Sequence, residues 1–207
     1  MTDYVLVGGG AFAREIFDWF APGLEAGDRF SGYLDDGDQP FRAFGRDLPQ
    51  LGDTHGFKPG PETLLVMAVG APAGKQALAQ RLTAQGGRFA TLLHPRAWIS
   101  ASARLGQGVV VGPFADVSAD ARGGDYVTLN AYASIGHDAQ VGDFSTLSGY
   151  VDLMGGVKVG CATFLGSGAR VLPGVSVGDG CMIGAGAVVV RKAPDGATLY
   201  AAPARRL

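Results

Sequence analysis

His137 and Asp138 stand side by side in "IGHDAQ" (135–140), within a stretch otherwise built mainly from Gly, Ala and aliphatic residues. A neutral imidazole can take a proton from an amine or hydroxyl as it attacks an acyl group. An adjacent carboxylate can fix its tautomer and support the imidazolium. A solvated polar corner is the plain alternative. The chain has two other histidines: His55 falls in the loop "LGDTHGFKPG", and His94, before Pro95, is expected to cap the entry to the second half rather than to catalyse. A second candidate is "VGGGAFARE", with G-x-G-x-x-A at Gly8, Gly10 and Ala13 between a strand and a helix. That context suits a phosphate at a helix amino terminus, although a strand-to-helix turn with no ligand reads the same way. Arg191, Lys192, Arg205 and Arg206 could meet phosphates or form a solvated tail. Cys161 and Cys181 match no metal-ligand spacing and no disulfide framework, so reduced thiols and no metal are expected.

Two different periods must position these residues. Residues 1–92 alternate strand and helix patterns: "YVLVG" (4–8), a helix at "AFAREIFDWF" (11–20), "FSGYLDD" (30–36), "TLLVMAVG" (63–70), a helical "AGKQALAQRLTAQ" and "RFATLL" (88–93). This order predicts a small parallel α/β sheet with crossover helices, too small for a full dinucleotide domain. NAD is therefore not expected.

From Ile99 to Val189 every sixth residue is aliphatic except Gly123, and four residues beyond each of them a small side chain recurs, as at Ala115, Ala133 and Ala169. A six-residue period fits neither helix nor hairpin. It fits a chain wound as a triangular prism, three hexapeptides to a coil, with coils stacked about 4.8 Å apart. Residues 93–207 are accordingly expected to form an all-β parallel β-helix with a short carboxyl-terminal tail. In that register Ile135 points inward, His137 and Asp138 fall at a corner, and Gly155 lies one coil above His137. An outward N–H near Gly155 could then bind the negative charge that develops on an acyl oxygen. Such a solenoid leaves flat faces, so self-association is expected.

Composition narrows the partners. A net charge of −2 and a pI near 5.9 leave no surplus of Lys and Arg for nucleic acid. There is no basic leader before the first apolar run and no apolar stretch of spanning length, which points to a cytoplasmic protein with no membrane role. The 34 glycines, with no collagen triplet, are expected to serve repeated turns.

From residue 94 onward the chain resembles the acetyl-CoA-dependent hexapeptide-repeat sugar acetyltransferases, in particular the group with sialic acid O-acetyltransferase and bacillosamine N-acetyltransferase. The marks are Asn130 seven residues before His137-Asp138, the "VGDF" corner (141–144), and the unbroken "FLGSGARVLPGVSVGDG" (164–180). The resemblance implies a left-handed β-helix preceded by a Rossmann-like nucleotide-sugar binding domain, and homotrimers with active sites between neighbouring helices. It implies His137 as base, Asp138 as the residue raising its basicity, Asn130 in the active site and Gly155 on the acetyl carbonyl. Coenzyme A would pass Thr146, Ser167 and Ala185. Gly8, Gly10, Ala11 and Phe12 would approach the diphosphate and sugar, and Asp35 and Asp36 the nucleoside. Three departures stand out: Thr146 replaces a second histidine, Phe12 replaces a histidine of the bacillosamine type, and Ala201 replaces a glycine in the closing motif.

The implied reaction is acetyl transfer to the amine of a nucleotide-linked sugar, a 4-amino-4,6-dideoxyhexose, with no acyl-enzyme. O-acetylation of a sugar such as sialic acid is the alternative. A zinc carbonic anhydrase on the same helix would need three converging histidines, and only His137 lies in the repeats. A scaffold trimer without catalysis is the remaining reading.

Overall fold

A computed structural model describes residues 1–37 and 41–203 of the chain. Arg205 and Arg206, the tail cations considered above, lie outside the described residues. The amino-terminal part forms a parallel sheet of β1 (Asp3–Val7), β2 (Arg29–Leu34), β3 (Gln50–Gly52) and β4 (Thr63–Met67) in the order β3-β2-β1-β4. Helix α1 (Ala11–Phe20) crosses from β1 to β2, and α2 (Pro72–Ala84) follows β4. The apolar spacing of α1 buries Ala13, Ile16 and Phe20, and burying each of the two large side chains stabilises the fold by about 1.5–3 kcal/mol.

The sheet differs from expectation at one edge. "RFATLL" is not a strand of it: Phe89 makes a single bridge to Leu65, and Leu92–Leu93 already pairs with Val110–Val111 in the second half. The fourth strand is β3, whose three residues are all exposed and carry no alternating pattern.

From Leu92 the chain is a left-handed parallel β-helix of two-residue strands. Seven strands, Leu92–Leu93 to Thr198–Leu199, stack as face one; six, Trp98–Ile99 to Val188–Val189, as face two; and five, Arg104–Leu105 to Ser176–Val177, as face three. Strands pair 18 residues apart, as Ser134–Ile135 does with Asp152–Leu153, except at the end, where Met182–Ile183 pairs with Thr198–Leu199, 16 residues on. The aliphatic column fills the prism, with Leu129, Ile135, Leu147, Leu153 and Leu165 fully buried.

Two different constraints explain the glycine content. The corners turn through a left-handed residue at every sixth position from Gly108 to Gly186. Eight of these are not glycine, among them Phe114, Tyr132, Asp138 and Tyr150. The aromatic ones stack coil on coil: Tyr132 lies 4.7 Å from Tyr150 and 5.0 Å from Phe114. That stacking offsets a conformation bulky residues otherwise avoid. The glycine that follows the inward residue has a separate cause. A Cβ at Gly136 would lie 2.6 Å from the Leu153 carbonyl oxygen of the next coil, so crowding, not the turn itself, demands glycine there.

The sheet domain sits on face one. Leu92 and Val110 join the apolar cluster of Leu6, Ile16 and Phe20, while Tyr126 packs with Leu82 and Ala79 of α2. Directional bonds accompany this packing. Fully buried Lys75 of α2 donates from Nζ to Tyr126 O (3.1 Å), Thr128 Oγ1 (2.9 Å) and Ser145 O (3.0 Å). The Thr146 hydroxyl donates to Gly70 O at 2.7 Å.

Burial pushes the Lys75 ammonium down to about 7. The unfolded chain keeps its lysines protonated up to about 10.4, so between these values the unfolded state holds more protons and stability rises with pH. Below the lower value the burial cost is full. Thermal unfolding followed from pH 6.5 to 9.5 is expected to show Tm climbing through about that window, and Lys75→Met to flatten the climb.

Candidate active site

His137 stands at the corner between faces two and three, with Asp138 in the left-handed conformation at φ 60°. A short polar side chain tolerates that backbone because it can bond locally. Here the bond is from His137 Nδ1 to Asp138 Oδ2, at 2.8 Å. An ionised carboxylate only accepts, so the proton sits on Nδ1, and Nε2, the ring atom nearest Gly155, is left with a lone pair. Both side chains are about two-thirds exposed in the single chain, at 71% and 67%.

The imidazole lies over Gly155. A Cβ built there would fall within 3.0 Å of three ring atoms of His137. The Gly155 carbonyl accepts from Gly174 N (2.9 Å), while its own N–H has no acceptor among the described residues. The corner between faces three and one behaves differently. There four of the equivalent N–H groups are capped by carboxylates one coil on: Gln107 N by Asp125, Asp125 N by Asp143, Cys161 N by Asp179, and Asp179 N by Asp195, at 2.7–3.0 Å. One edge of the prism is sealed by aspartates and the edge carrying His137 is open. Its bare N–H is the kind of donor that stabilises charge developing on an acyl oxygen.

Asn130 is not beside His137. It follows Thr128–Leu129 at the corner between faces one and two, a full face away. Its carbonyl oxygen Oδ1 is buried without a hydrogen-bond partner in the chain, and an unpaired buried acceptor of this kind costs about 1–3 kcal/mol. Exposed Ser167 and Ala185 share that edge, one coil apart. Thr146 is elsewhere: it is 2% exposed, under the sheet domain, with its hydroxyl committed to Gly70. The chain alone therefore groups His137, Asp138 and Gly155 on one edge and Asn130, Ser167 and Ala185 on another.

The glycine-rich turn lies at the carboxyl end of β1, where parallel sheets collect ligands. Gly8 has φ 105°, and a Cβ there would meet Val69 at 2.9 Å. Gly10 caps α1 and no side chain caps the helix amides that Ala11 and Phe12 open. The Phe12 ring packs edge-on against Trp19 at 6.1 Å, and Trp19 reaches Gly112, which lies beside Asn130. The loop and the Asn130 edge are thus joined through one aromatic pair.

Asp35 binds back to the loop, accepting from Gly9 N (2.7 Å) and Gly37 N (2.8 Å). Asp36 is held by Thr54 and Arg81: burial pushes its carboxyl up, but hydrogen bonds from Thr54 and Arg81 outweigh this and hold it below the usual range. His55, read from sequence as a loop residue, closes this cluster 3.2 Å from Arg81. His94 Nδ1 accepts from Arg96 N at 3.1 Å, a local cap. Sequence reading also passed over Arg104, Arg122 and Lys158, which form a cationic stripe with Gln140 on face three. Their 18-residue spacing was the available signal. Arg191 and Lys192 are exposed at the last corner.

Among the described residues no group of three His, Cys, Asp or Glu side chains could hold a metal ion, and no helix is long and apolar enough to cross a membrane.

Comparison with known proteins bears on the fold and the family. Residues 156–191 match the family model "Bacterial transferase hexapeptide (six repeats)". The acetyltransferase domain of PglB from Neisseria gonorrhoeae FA1090, solved in complex with acetyl coenzyme A, is 30% identical with a TM-score of 0.86, covering 99% of this chain and 98% of that one. PerB from Caulobacter crescentus, in complex with CoA and GDP-perosamine, is 31% identical with a TM-score of 0.85, covering 99% and 97%. WeeI from Acinetobacter baumannii AYE shares the fold at 22% identity and a TM-score of 0.82, covering both chains fully. No curated protein matches the chain by sequence. The repeats and the matched relatives define an acetyl-CoA-dependent acyltransferase. More narrowly, the chain belongs to the hexapeptide-repeat sugar acetyltransferases.

Proposed function

We propose that the protein transfers the acetyl group of acetyl-CoA to the amine of a nucleotide-linked amino sugar, a 4-amino-4,6-dideoxyhexose, with His137 as general base. The observation that carries this reading is the His137–Asp138 pair, 2.8 Å apart, lying over the uncapped N–H of Gly155. The relatives support the substrate class: one is described as perosamine N-acetyltransferase, in complex with CoA and GDP-perosamine.

Acetyl-CoA supplies a thioester whose carbonyl carbon forms the new bond to nitrogen while the carbon–sulfur bond breaks. His137 Nε2 takes the amine proton and can return it to the departing sulfur. Asp138 accepts from Nδ1 and supports the imidazolium. The Gly155 N–H stabilises the carbonyl oxygen as its charge grows. Asn130 Oδ1, buried and unpartnered, accepts from the substrate amine and aims its lone pair. No side-chain nucleophile is required, and Cys161 and Cys181 take no part.

Because Asn130 and His137 occupy different edges of one prism, a neighbouring copy completes the site. A homotrimer does this: the His137 edge of one chain faces the Asn130 edge, glycine-rich loop and Asp35–Asp36 of the next. The cofactor lies between Gly155 of one copy and Ser167 and Ala185 of the other, which offer backbone groups and little side chain. Thr146 contributes to the seating of the sheet domain instead of touching the cofactor.

Thiol release from acetyl-CoA, measured with UDP-, dTDP-, GDP- and CMP-linked sugars, tests the reading. Turnover is expected with a nucleotide-linked 4-amino sugar. Turnover of free or CMP-linked sialic acid, with none on any amino sugar, overturns it in favour of O-acetylation.

A further inference from the structure

Lys75 is fully buried, carries a charge-bearing group, and lies on neither edge of the proposed site. Its surroundings are unusual for a lysine. Nζ meets three oxygens at 2.9–3.1 Å, and these belong to two successive coils: Tyr126 O and Thr128 Oγ1 on one, Ser145 O on the next. An ammonium has three donors, so all three are used. No carboxylate pairs with it among the described residues. Burying a cation without an opposite charge is unfavourable, and a leucine or methionine would fill an α2 position facing a β-helix without that penalty. The bond pattern shows what the lysine provides that an apolar residue does not.

The remaining contacts between sheet domain and solenoid are largely apolar, and apolar contact resists separation but sets direction poorly. Lys75 is three-pronged and directional. It grips α2 three residues after Pro72, next to the Val69–Gly70 segment, whose Gly70 carbonyl takes the Thr146 hydroxyl. It holds Thr128, two residues before Asn130. The same segment abuts the glycine-rich turn, since Ala68 and Val69 pack against Gly8. A path of two bonded contacts thus runs from the glycine-rich loop to the Asn130 edge.

We propose that Lys75 is a positioning residue: it fixes the register of the nucleotide-binding domain on the β-helix, so that the amine of a bound nucleotide sugar reaches the acetyl-transfer corner. The proposal rests on the nucleotide-sugar reading above. It predicts a separation of binding from turnover. The loop that binds the nucleotide belongs wholly to the sheet domain and is left intact when Lys75 is changed, whereas placement of the amine degrades. A misplacement of about 1 Å costs on the order of a hundredfold in rate.

The test uses the full-length chain carrying Lys75→Met, which keeps the volume and removes the donors, beside Thr128→Val, which removes one acceptor. Steady-state kinetics is run with the nucleotide sugar found active in the screen, and binding of the matching nucleoside diphosphate is measured by calorimetry. Expected for Lys75→Met is a fall in kcat of about tenfold to a hundredfold, with nucleotide Kd and the KM for acetyl-CoA within about twofold. Thr128→Val, close to threonine in volume and leaving two of the three Lys75 bonds in place, is expected to lose about threefold to tenfold in kcat with the same unchanged Kd. A wild-type kcat in either soluble variant, or a nucleotide Kd that weakens in step with kcat, overturns the proposal.

If no nucleotide sugar turns over with the wild-type protein, the functional reading fails, and the positioning claim is still decided by distance. Spin labels at Glu15 and Arg170, with Cys161 replaced by serine and labelled chains diluted in unlabelled ones, report the spacing of the two halves. A broadened distribution in Lys75→Met sustains the register claim, and an unchanged one refutes it.

Discussion

His137→Ala is expected to lower kcat/KM by about a hundredfold to ten-thousandfold, with little change in Tm. The size follows from the role assigned to Nε2, since neither of the other two histidines, His55 and His94, stands at that corner. The small effect on stability follows from exposure: the imidazole is at the surface of the prism, and its pair with Asp138 is a solvated one. Asp138→Asn tests the division of labour. It keeps a hydrogen-bond acceptor beside Nδ1 but removes the charge that supports the imidazolium, and a smaller loss of about tenfold to a hundredfold is expected. Steady-state thiol release with saturating acetyl-CoA checks both. Wild-type turnover in His137→Ala, with the chain folded, would leave the corner a solvated ornament and return the protein to a scaffold.

The second large effect is expected from the smallest change. Gly155→Ala adds one methyl group where three His137 ring atoms lie within 3.0 Å. The obstacle is the end of a side chain free to rotate, not backbone, so the coil forms and the imidazole is what moves. Two functions are lost together: the base leaves its position, and the methyl group crowds the N–H that faces the acyl oxygen. A loss of about a hundredfold to a thousandfold in kcat is expected, with a Tm within about 3 °C of wild type. Gly136→Ala is the control. Its Cβ would meet the backbone of Leu153 and Met154 at 2.6–2.8 Å, so this variant is expected to lose stability, read as a lower Tm, where Gly155→Ala loses rate.

The six-residue column was legible in the sequence because the prism admits one kind of residue at one place, coil after coil; Ile135 and Leu153 follow that rule and are fully buried. His137 could be placed at a corner, and Gly155 above it, by arithmetic alone. The relation of Asn130 to His137 could not. Seven residues apart in the chain, they stand on different edges, because six residues carry the backbone around a corner. The small sheet was less legible. Its strand β3 is three exposed residues with no alternation, so nothing in "QLG" marks it, and "RFATLL" misled because Leu92 and Leu93 are apolar on behalf of the solenoid. Lys75 gave no signal either: a lysine on a helix is normally read as a solvated face, and only the docked geometry shows its three acceptors. Thr146 was read as standing where a cofactor contact is expected, but its hydroxyl is committed to Gly70. The sheet domain covers that face, which no repeat pattern reveals.

The left-handed turn that recurs at every sixth position from Gly108 to Gly186 makes length in this protein a quantised variable. Deleting one residue between Gly108 and Asp138 would shift the later residues by one place, putting Ala139 at the turn and His137 in the slot of Gly136, where a Cβ would lie 2.6 Å from the Leu153 carbonyl oxygen. Removing or adding a whole coil of 18 residues preserves every column and only changes how far the acetyl-transfer corner stands from the nucleotide domain, in increments of about 4.8 Å. The solenoid is in this sense a ruler with coarse graduations, and reach between the two halves can be redesigned by insertion or deletion only at those marks.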